Sequence, residues 1–423
     1  MKSFLDKIFL RSNNLDHISF EIKQLTKKTP AKLIFDAIDT YSKDSEVRYV
    51  GGCIRKIINK EKVDDIDLAT NLKPDQVCEA MKKNNINYYE SGLSHGTITA
   101  SIDEFKFEIT TLREDVETYG RHADVKFSKD WKKDASRRDF TINSIYSDKD
   151  GNIFDPFNGR QDLQHGLINF IGDADKRIKE DYLRILRYLR FFLDYSKQPH
   201  NLEVLRKIRL NIGKITDLSK ERLLDELKKI INLGSLQRLS KDKVSRELIS
   251  LVFPELKNIS LFSNLSENKK EILKNEDFIF LLSLMIIDEK DNLDYFLFKY
   301  NISKKDQKRM QIIDNFFKQI NLNNISENTL NNIFYFKGRQ AVIDILNFRI
   351  IKLKKTDNIV INLLEVYKNK KMPILPIKAE TLMVKYKIPE GKQLGKKLKI
   401  IEKEWVDNNF KISDEKIESI VKN

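Results

Sequence analysis

VDDIDLAT, residues 63–70, places three aspartates in a stretch whose apolar residues are typical of a buried strand. Because side chains alternate between the two faces of a strand, Asp65 and Asp67 are predicted to share one face while Ile66 and Leu68 face the core. Two adjacent carboxylates repel each other unless a cation lies between them, and Mg²⁺ binds carboxylates together with substrate phosphates. Taken alone, the segment is explained at least as well by a capped turn followed by an exposed edge strand.

The composition is that of a folded protein with a basic surface. The chain has 423 residues, of which 40% are hydrophobic and 33% charged, and this length indicates about three domains. The net charge of +14 favours a polyanionic partner such as nucleic acid.

The chain also carries signals about its compartment. Its two cysteines, Cys53 and Cys78, form no disulfide or zinc-binding pattern, and residues 1–20 lack the cleavage site of a secretory signal. No run of about 18 apolar residues is present. We therefore expect a cytoplasmic protein without membrane contact, and no stable protein partner is predicted.

The hydrophobic pattern changes near residue 170. Before this point, short runs such as VRYVGG, GTITASI and FKFEITTL alternate apolar and polar residues, which predicts an α/β region. After it, segments such as IKEDYLRILRYLRFFLDY and SKERLLDELKKIINL have apolar residues at steps of three and four, which predicts helices.

A pair of glycines follows the first of these predicted strands. In YVGGCIRKIIN, residues 49–59, Gly51 and Gly52 stand where the strand is expected to turn into a helix. Backbone N–H groups at such a turn, together with Arg55, are suited to binding a phosphate. A glycine pair alone is weak evidence, but an acidic pair on the next strand would place a metal site opposite a phosphate site.

Two further segments add polar groups of the same kind. In FKFEITTLR, residues 105–113, the alternation puts Glu108 opposite the apolar face, where it is a candidate third carboxylate for two-metal catalysis or an ordinary exposed glutamate. In ASRRDFTINSIY, residues 135–146, two arginines offer forked donors for a triphosphate; a surface turn with an Arg–Asp pair is the alternative.

Five segments in this order resemble the class II tRNA nucleotidyltransferase and poly(A) polymerase family: GGCIRK, DDIDLAT, FEITTLR, RRDFTINS and EDYLRILR. The resemblance covers residues 47–229 and returns over residues 372–398, which are similar to the tail of the tRNA-adding members. It implies an α+β fold, with a polymerase-β-like nucleotidyltransferase head followed by an all-α neck, body and tail. It also implies template-independent, Mg²⁺-dependent addition of CCA to tRNA from CTP and ATP.

The resemblance also implies roles for individual residues. Asp65 and Asp67 would bind the metal, with Glu108 as the third catalytic carboxylate. The nucleotide would be bound by Gly51, Gly52, Arg55, Arg113, Arg138, Asp139, Asn143, Asp181, Arg184 and Arg187. Lys56 and Ser144 depart from the family pattern, which usually has Asp and Ala there, and Lys56 puts any role of that aspartate in doubt.

Asp181 and Arg184 are expected to select the base. Taken alone, they fit an ordinary i, i+3 ion pair on a helix. Under the family resemblance, a carboxylate that accepts from an exocyclic amine, next to a guanidinium that donates to a ring nitrogen, takes C and A and rejects U and G. Residues 111–127 resemble the flexible loop that reshapes this pocket between C and A addition; a solvated connection is the alternative.

Specificity for tRNA is expected from the C-terminal helices. Lys392, Lys396 and Lys399 follow Gly391 near one face of a predicted helix, which suits backbone phosphates or simply a solvated lysine face. We expect a head at 46–168, a helical neck at 169–255 and a body and tail at 256–423. The competing functions are a poly(A) polymerase, an A-only tRNA adenylyltransferase, and an RNA-binding protein with an inactive nucleotidyltransferase fold.

Overall fold

The computed structural model describes residues 17–119, 122–319, 325–353 and 357–422. They belong to two compact units, divided in sequence between Glu226 and Leu227. The three-part division predicted from the sequence stays a prediction.

The first unit is built on a seven-stranded mixed sheet with the strand order β3-β4-β5-β2-β1-β8-β9. Its strands are β1 (Val47–Val50), β2 (Ile66–Thr70), β3 (Asn87–Gly92), β4 (Thr97–Ile102), β5 (Phe105–Thr111), β8 (Tyr146–Ser147) and β9 (Ile153–Phe154). The β2–β5 pair is parallel, whereas the other neighbours are antiparallel. A separate two-stranded ribbon pairs β6 (Arg113–Tyr119) with β7 (His122–Phe127).

The burial of residues along the central strands confirms the predicted apolar face of the sheet. Ile66 and Leu68 on β2 are buried, as are Phe107 and Ile109 on β5, and all four belong to one hydrophobic core. Because of the two-residue period, the polar residues between them lie on the opposite face of the sheet.

The helices of this unit pack around the sheet and extend the chain beyond it. They are α1 (17–28), α2 (Ala31–Asp39), α3 (Gly52–Ile58), α4 (Pro74–Lys83), α5 (Trp131–Ser136), α6 (Gly159–His165), α7 (Ala174–Glu180), α8 (Arg184–Tyr195), α9 (Leu202–Asn211) and α10 (Lys220–Ile230), of which α10 crosses the division between the units.

One predicted helix is interrupted. The apolar period of IKEDYLRILRYLRFF predicts a continuous helix, but α7 ends at Glu180 and α8 begins at Arg184. Asp181 is extended, with φ −154° and ψ 107°, and its Oδ1 accepts from the Leu183 N–H (3.1 Å). The carboxylate thus satisfies a backbone donor at the start of α8, which explains the break.

The regular structure described in the second unit is helical. It comprises α11 (Leu233–Lys241), α12 (Lys243–Val252), α13 (Glu267–Lys274), α14 (Phe278–Ile286), α15 (Asn292–Lys299), α16 (Lys304–Gln319), α17 (Glu327–Lys337), α18 (Arg339–Lys352), α19 (Asn358–Asn369), α20 (Ala379–Tyr386), α21 (Lys392–Asp407) and α22 (Asp414–Lys422). In the described part of the chain, no helix is both long and apolar enough to cross a membrane.

Candidate active site

Asp67 and Glu108 lie opposite each other on the two parallel strands at the centre of the sheet. Burial and the Glu108 charge raise the pKa of Asp67 to about 6. Asp65 precedes β2 and is exposed, and its charge contributes to the same rise in the pKa of Asp67. The structure thus brings the three predicted carboxylates into electrostatic contact.

The chemistry of these carboxylates fits a divalent cation. All three are hard oxygen donors, and a bound cation would offset the repulsion that raises the pKa of Asp67. Over residues 17–119, 122–319, 325–353 and 357–422, no three acidic, histidine or cysteine side chains are grouped so that they could hold a metal ion. Mg²⁺ usually binds protein through one or two carboxylates and takes its remaining ligands from water and substrate phosphates, so the neighbouring carboxylates of Asp67 and Glu108 are compatible with it.

The glycine turn lies beside these carboxylates. Gly51 has a φ of 69°, a left-handed conformation that favours glycine. A Cβ atom built at Gly52 would lie 3.8 Å from Asp67 Oδ2, and one built at Gly51 would lie 3.7 Å from Arg138 Nη1. The two glycines therefore lie in direct contact range of the carboxylate and the guanidinium, without a side chain of their own between them.

A chain of hydrogen bonds joins α3 to α8 through four of the predicted site residues. Arg55 donates to Asn143 Oδ1, Asn143 Nδ2 donates to Asp139 Oδ1 (2.8 Å), and Arg187 Nε donates to Asp139 Oδ2 (2.5 Å). Burial opposes ionisation of Asp139, but the Arg187 charge and these hydrogen bonds hold its pKa well below the usual range. The four side chains form one connected polar network.

Arg55, one of the predicted phosphate contacts, is enclosed by other side chains. Its side chain is buried, and its guanidinium lies over the rings of Phe191 (4.8 Å) and Tyr195 (5.3 Å). Among the described residues, Nε of Arg55 has no hydrogen-bond partner. Arg55 is therefore held between these rings and Asn143, and its buried Nε–H has no acceptor among the described residues.

Asp134, which the sequence analysis missed, holds the two arginines of the RRDF segment. Its Oδ1 accepts from Arg137 Nε (2.8 Å), and its Oδ2 accepts from Arg138 Nη2 (3.2 Å) and the Tyr146 hydroxyl (2.7 Å). Asp134 is 1% exposed. The signal was present in the sequence, because Asp134 stands three and four residues before these arginines at the end of α5.

We expect Asp134→Asn to destabilise the protein in a pH-dependent way. Burial opposes ionisation of Asp134, but Arg137 and Arg138 lower its pKa to about 2. A carboxyl group whose pKa is lowered by folding stabilises the fold at pH values above the usual carboxyl pKa. This stabilisation is lost as the pH falls towards 2. Urea unfolding at pH 7 should give a deficit of about 2 kcal/mol for the variant.

The matching measurement is urea unfolding of both proteins at pH 3, where the deficit should shrink. An equal deficit at both pH values would contradict the ion-pair explanation.

A cavity of about 400 Å³ opens beside the carboxylates. Its lining residues are Val50, Asp67, Leu68, His95, Thr97, Glu108, Thr110, Arg113, Arg137 and Arg138. Four of the predicted site residues thus share one cavity: Asp67, Glu108, Arg113 and Arg138. His95, Thr97 and Thr110 were not predicted, because they reach the cavity through strand pairing and the bend before β4 rather than through a local motif.

The side chains of Asp181 and Arg184 do not bond to each other, although the Arg184 N–H donates to the Asp181 carbonyl oxygen (3.0 Å). Asp181 Oδ2 accepts from Arg222 Nη2 (2.7 Å), whereas Arg184 Nη1 donates to Glu180 Oε2 and to the Arg177 carbonyl oxygen (2.8 Å). The i, i+3 ion pair considered in the sequence analysis is therefore absent. Neither residue lines the cavity described above.

Other predicted positions lie as follows. Residues 113–119 and 122–127 form the β6–β7 ribbon, while Gly120, the glycine of the predicted loop, lies outside the described residues. Lys56, the departure from the family pattern, donates to Asp64 Oδ1.

The three lysines predicted to contact tRNA lie on α21. Lys392, Lys396 and Lys399 are exposed on this helix, which begins directly after Gly391. Their neighbour Lys397 instead donates to the carbonyl oxygen of Ile420 (3.3 Å).

Comparisons with known proteins found relatives of this chain in sequence and in structure. The family model of the poly(A) polymerase head domain matches residues 47–169. The mouse (Mus musculus) mitochondrial CCA tRNA nucleotidyltransferase 1 is 33% identical over 385 residues, which are 89% of this chain and 86% of the mouse protein. The human (Homo sapiens) mitochondrial CCA tRNA nucleotidyltransferase 1 is 48% identical over 189 residues, 44% of each chain, so that alignment spans less than half of the human protein.

A solved structure shares the fold. The Bacillus stearothermophilus CCA-adding enzyme, crystallised in complex with CTP, has a TM-score of 0.65 at 20% identity, covering 89% of this chain and 92% of that chain. The predicted architecture, a polymerase-β-like head followed by a helical region, is confirmed.

Proposed function

Because this chain belongs to the CCA tRNA nucleotidyltransferase family, we propose that it adds C, C and A to the 3′ end of tRNA, without a template, from CTP and ATP. One observation carries the proposal. Asp67 and Glu108 stand opposite each other on parallel strands, in a cavity that also contains Arg113 and Arg138. Carboxylates facing guanidinium groups suit a reaction in which a metal-bound triphosphate is attacked by a hydroxyl group.

Nucleotidyl transfer of this kind generally requires a divalent metal, and we propose Mg²⁺ as the ion here. Asp65 and Asp67 would hold it, with Glu108 as the third carboxylate. When bound, the ion supplies charge neutralisation at the triphosphate and favours ionisation of the primer hydroxyl. The residues of the chain contribute the positioning on which phosphoryl transfer depends.

The proposed triphosphate contacts surround the glycine turn. Gly51 and Gly52 place no side chain beside Arg138 and Asp67. Arg138 lines the cavity and also donates to Asp134. Arg113, which lines the cavity, and Arg55 on α3 add positive charge. Asp139 and Asn143 would hold Arg55 and Arg187 in place through their hydrogen bonds and contact the nucleotide sugar.

Base selection is assigned to Asp181 and Arg184, followed by Arg187 on the same helix. C and A both present an exocyclic amine next to an unprotonated ring nitrogen, whereas U and G present a carbonyl next to a ring N–H. A carboxylate and a guanidinium in fixed positions accept the first pattern. They reject the second because buried polar groups are then left unpaired.

The exposed lysines of α21 are the proposed tRNA contacts. Replacing Lys392, Lys396 and Lys399 together with glutamine is expected to weaken tRNA binding and to make it less sensitive to salt. Removing one lysine–phosphate interaction lowers the slope of log K against log[salt] by roughly one. Binding titrations at several KCl concentrations measure this slope.

The control is a triple glutamine variant of Lys304, Lys305 and Lys308, which are exposed on α16 and carry the same charge. Equal weakening of tRNA binding in the two variants would mean that the effect is one of net charge and not of a site.

The proposed function is tested by nucleotide use. A tRNA lacking its terminal CCA and a tRNA that ends in CC are each incubated with Mg²⁺ and with each of the four NTPs singly. The expected result is incorporation of C from CTP into the first tRNA and of one A from ATP into the second. Long A tails would identify a poly(A) polymerase, A addition to the second tRNA without C addition to the first would identify an A-only enzyme, and no incorporation into either would leave an RNA-binding protein.

We further propose a head at residues 46–168, a helical neck at 169–255 and a helical body and tail at 256–423.

We also propose a cytoplasmic location. The human and mouse relatives are named as mitochondrial, so fractionation of cells that express the tagged chain is the test of location.

A further inference from the structure

Each residue of the proposed base-reading pair is held by a different neighbour. The Asp181 carboxylate is oriented at both oxygens, by the Leu183 N–H (3.1 Å) and by Arg222 Nη2 (2.7 Å). The side chains of Asp181 and Arg222 are 20% and 18% exposed, so this ion pair is largely removed from water.

Arg184 is oriented in the same manner. Its Nη1 donates both to Glu180 Oε2 and to the Arg177 carbonyl oxygen. Glu180 is in turn fixed by Arg177, whose Nη1 donates to the same oxygen (2.8 Å). The guanidinium of Arg184 is therefore restrained through two partners on α7.

Such restraints matter because one acceptor and one donor do not by themselves exclude uracil. Cytosine offers its N4 amine next to the N3 acceptor, and uracil offers its N3–H next to the O2 acceptor. The order of donor and acceptor is the same, displaced by one position along the edge of the ring. A carboxylate and a guanidinium that move together by this displacement would bind uracil as well as cytosine.

We propose that Arg222 and Glu180 are positioning residues for base specificity, since they fix Asp181 and Arg184 at the one register that cytosine and adenine satisfy. This inference rests on the proposed function and assigns residues beyond those that contact the base. Arg222 acts through Asp181 and Glu180 acts through Arg184, so that replacing either relaxes selection more than it slows addition.

The test compares kcat/KM for CTP and UTP on a tRNA lacking CCA. In Arg222→Met and in Glu180→Gln, we expect the preference for CTP over UTP to fall about tenfold or more, the factor associated with one mispaired buried polar group. Arg222→Lys retains the charge and a donor, so it should keep more of the preference than Arg222→Met. The lower preference should arise mainly from a rise in kcat/KM for UTP. The accompanying fall in kcat with CTP should be smaller than the fall in preference.

The control is Arg206→Met, which removes an exposed arginine of α9 and should leave the preference unchanged. A purely structural role for Arg222 and Glu180 would lower CTP and UTP use in parallel, and an unchanged ratio in both variants would overturn the inference. Thermal melting verifies that each variant folds. Because Arg222 and Glu180 lie on different helices, a variant that fails to fold leaves the other variant as the test.

The same assay separates this inference from the proposed function. A wild-type protein that uses neither nucleotide, or both equally, contradicts the proposed function itself. A wild-type protein that discriminates, together with Asp181→Ala that does not, supports the proposed function, and the two positioning variants then decide the inference alone.

Discussion

Replacing Asp67 with alanine is expected to lower nucleotide incorporation by about a thousandfold or more, while tRNA binding is retained. Asp67 lies beside the glycine turn and pairs with Glu108 across the two parallel strands. Its removal takes away a proposed metal ligand but none of the proposed tRNA-binding lysines. Single-turnover extension and a tRNA binding titration on the same preparation measure the two effects.

The conservative variant Asp67→Asn provides a second, independent readout. Because the folded pKa of Asp67 is raised to about 6, its ionisation destabilises the metal-free protein as the pH rises from about 4 through 6. At pH 8 without metal, Asp67→Asn should therefore be more stable than the wild type by up to about 2 kcal/mol. Below about pH 4 this gain should disappear.

Added Mg²⁺ should stabilise the wild type by mass action and should have little effect on Asp67→Asn. Equal stabilisation of the two proteins by Mg²⁺ would mean that the ion binds elsewhere. It would remove the metal role of Asp67 from the proposal.

Replacing Asp139 with alanine is expected to destabilise the first unit by about 3 kcal/mol. The substitution leaves Arg187 without its carboxylate and the Asn143 amide without its acceptor. It also cuts the hydrogen-bonded chain that joins Arg55 to Arg187. Urea unfolding at pH 7 measures the free energy of unfolding.

The double variant Asp139→Ala/Arg187→Met isolates the cause of this destabilisation. Because it removes both charges, it should be more stable than Asp139→Ala alone. Additive effects of the two substitutions would show that the pair is not coupled and that the polar network contributes little to the fold.

The sequence was most informative in the β-strands, where the two-residue repeat of side chains determines which residues share a face. The alternation around Asp67 and Glu108 identified the polar face of both strands, because the strand period is two residues. That the two strands would be parallel neighbours, with these residues in register, depends on the crossover through α4, β3 and β4. No local pattern contains this information.

The residues that were missed differ in how much signal the sequence held. Asp134 is close in sequence to the arginines that it binds, so its spacing was a usable signal. Arg222 stands 41 residues from Asp181, and only folding brings them together. The helix break at Asp181 was also missed, because the apolar period continues through it while its carboxylate satisfies a backbone donor.

The central claim is tested most directly by sequencing the 3′ ends formed when a tRNA without CCA is incubated with CTP, ATP and Mg²⁺ together. Addition of C, C and A in this order, followed by a stop, is the predicted result, with no product when Asp67→Ala replaces the wild type. Tails that continue beyond the third nucleotide, or that contain A alone, would contradict the account.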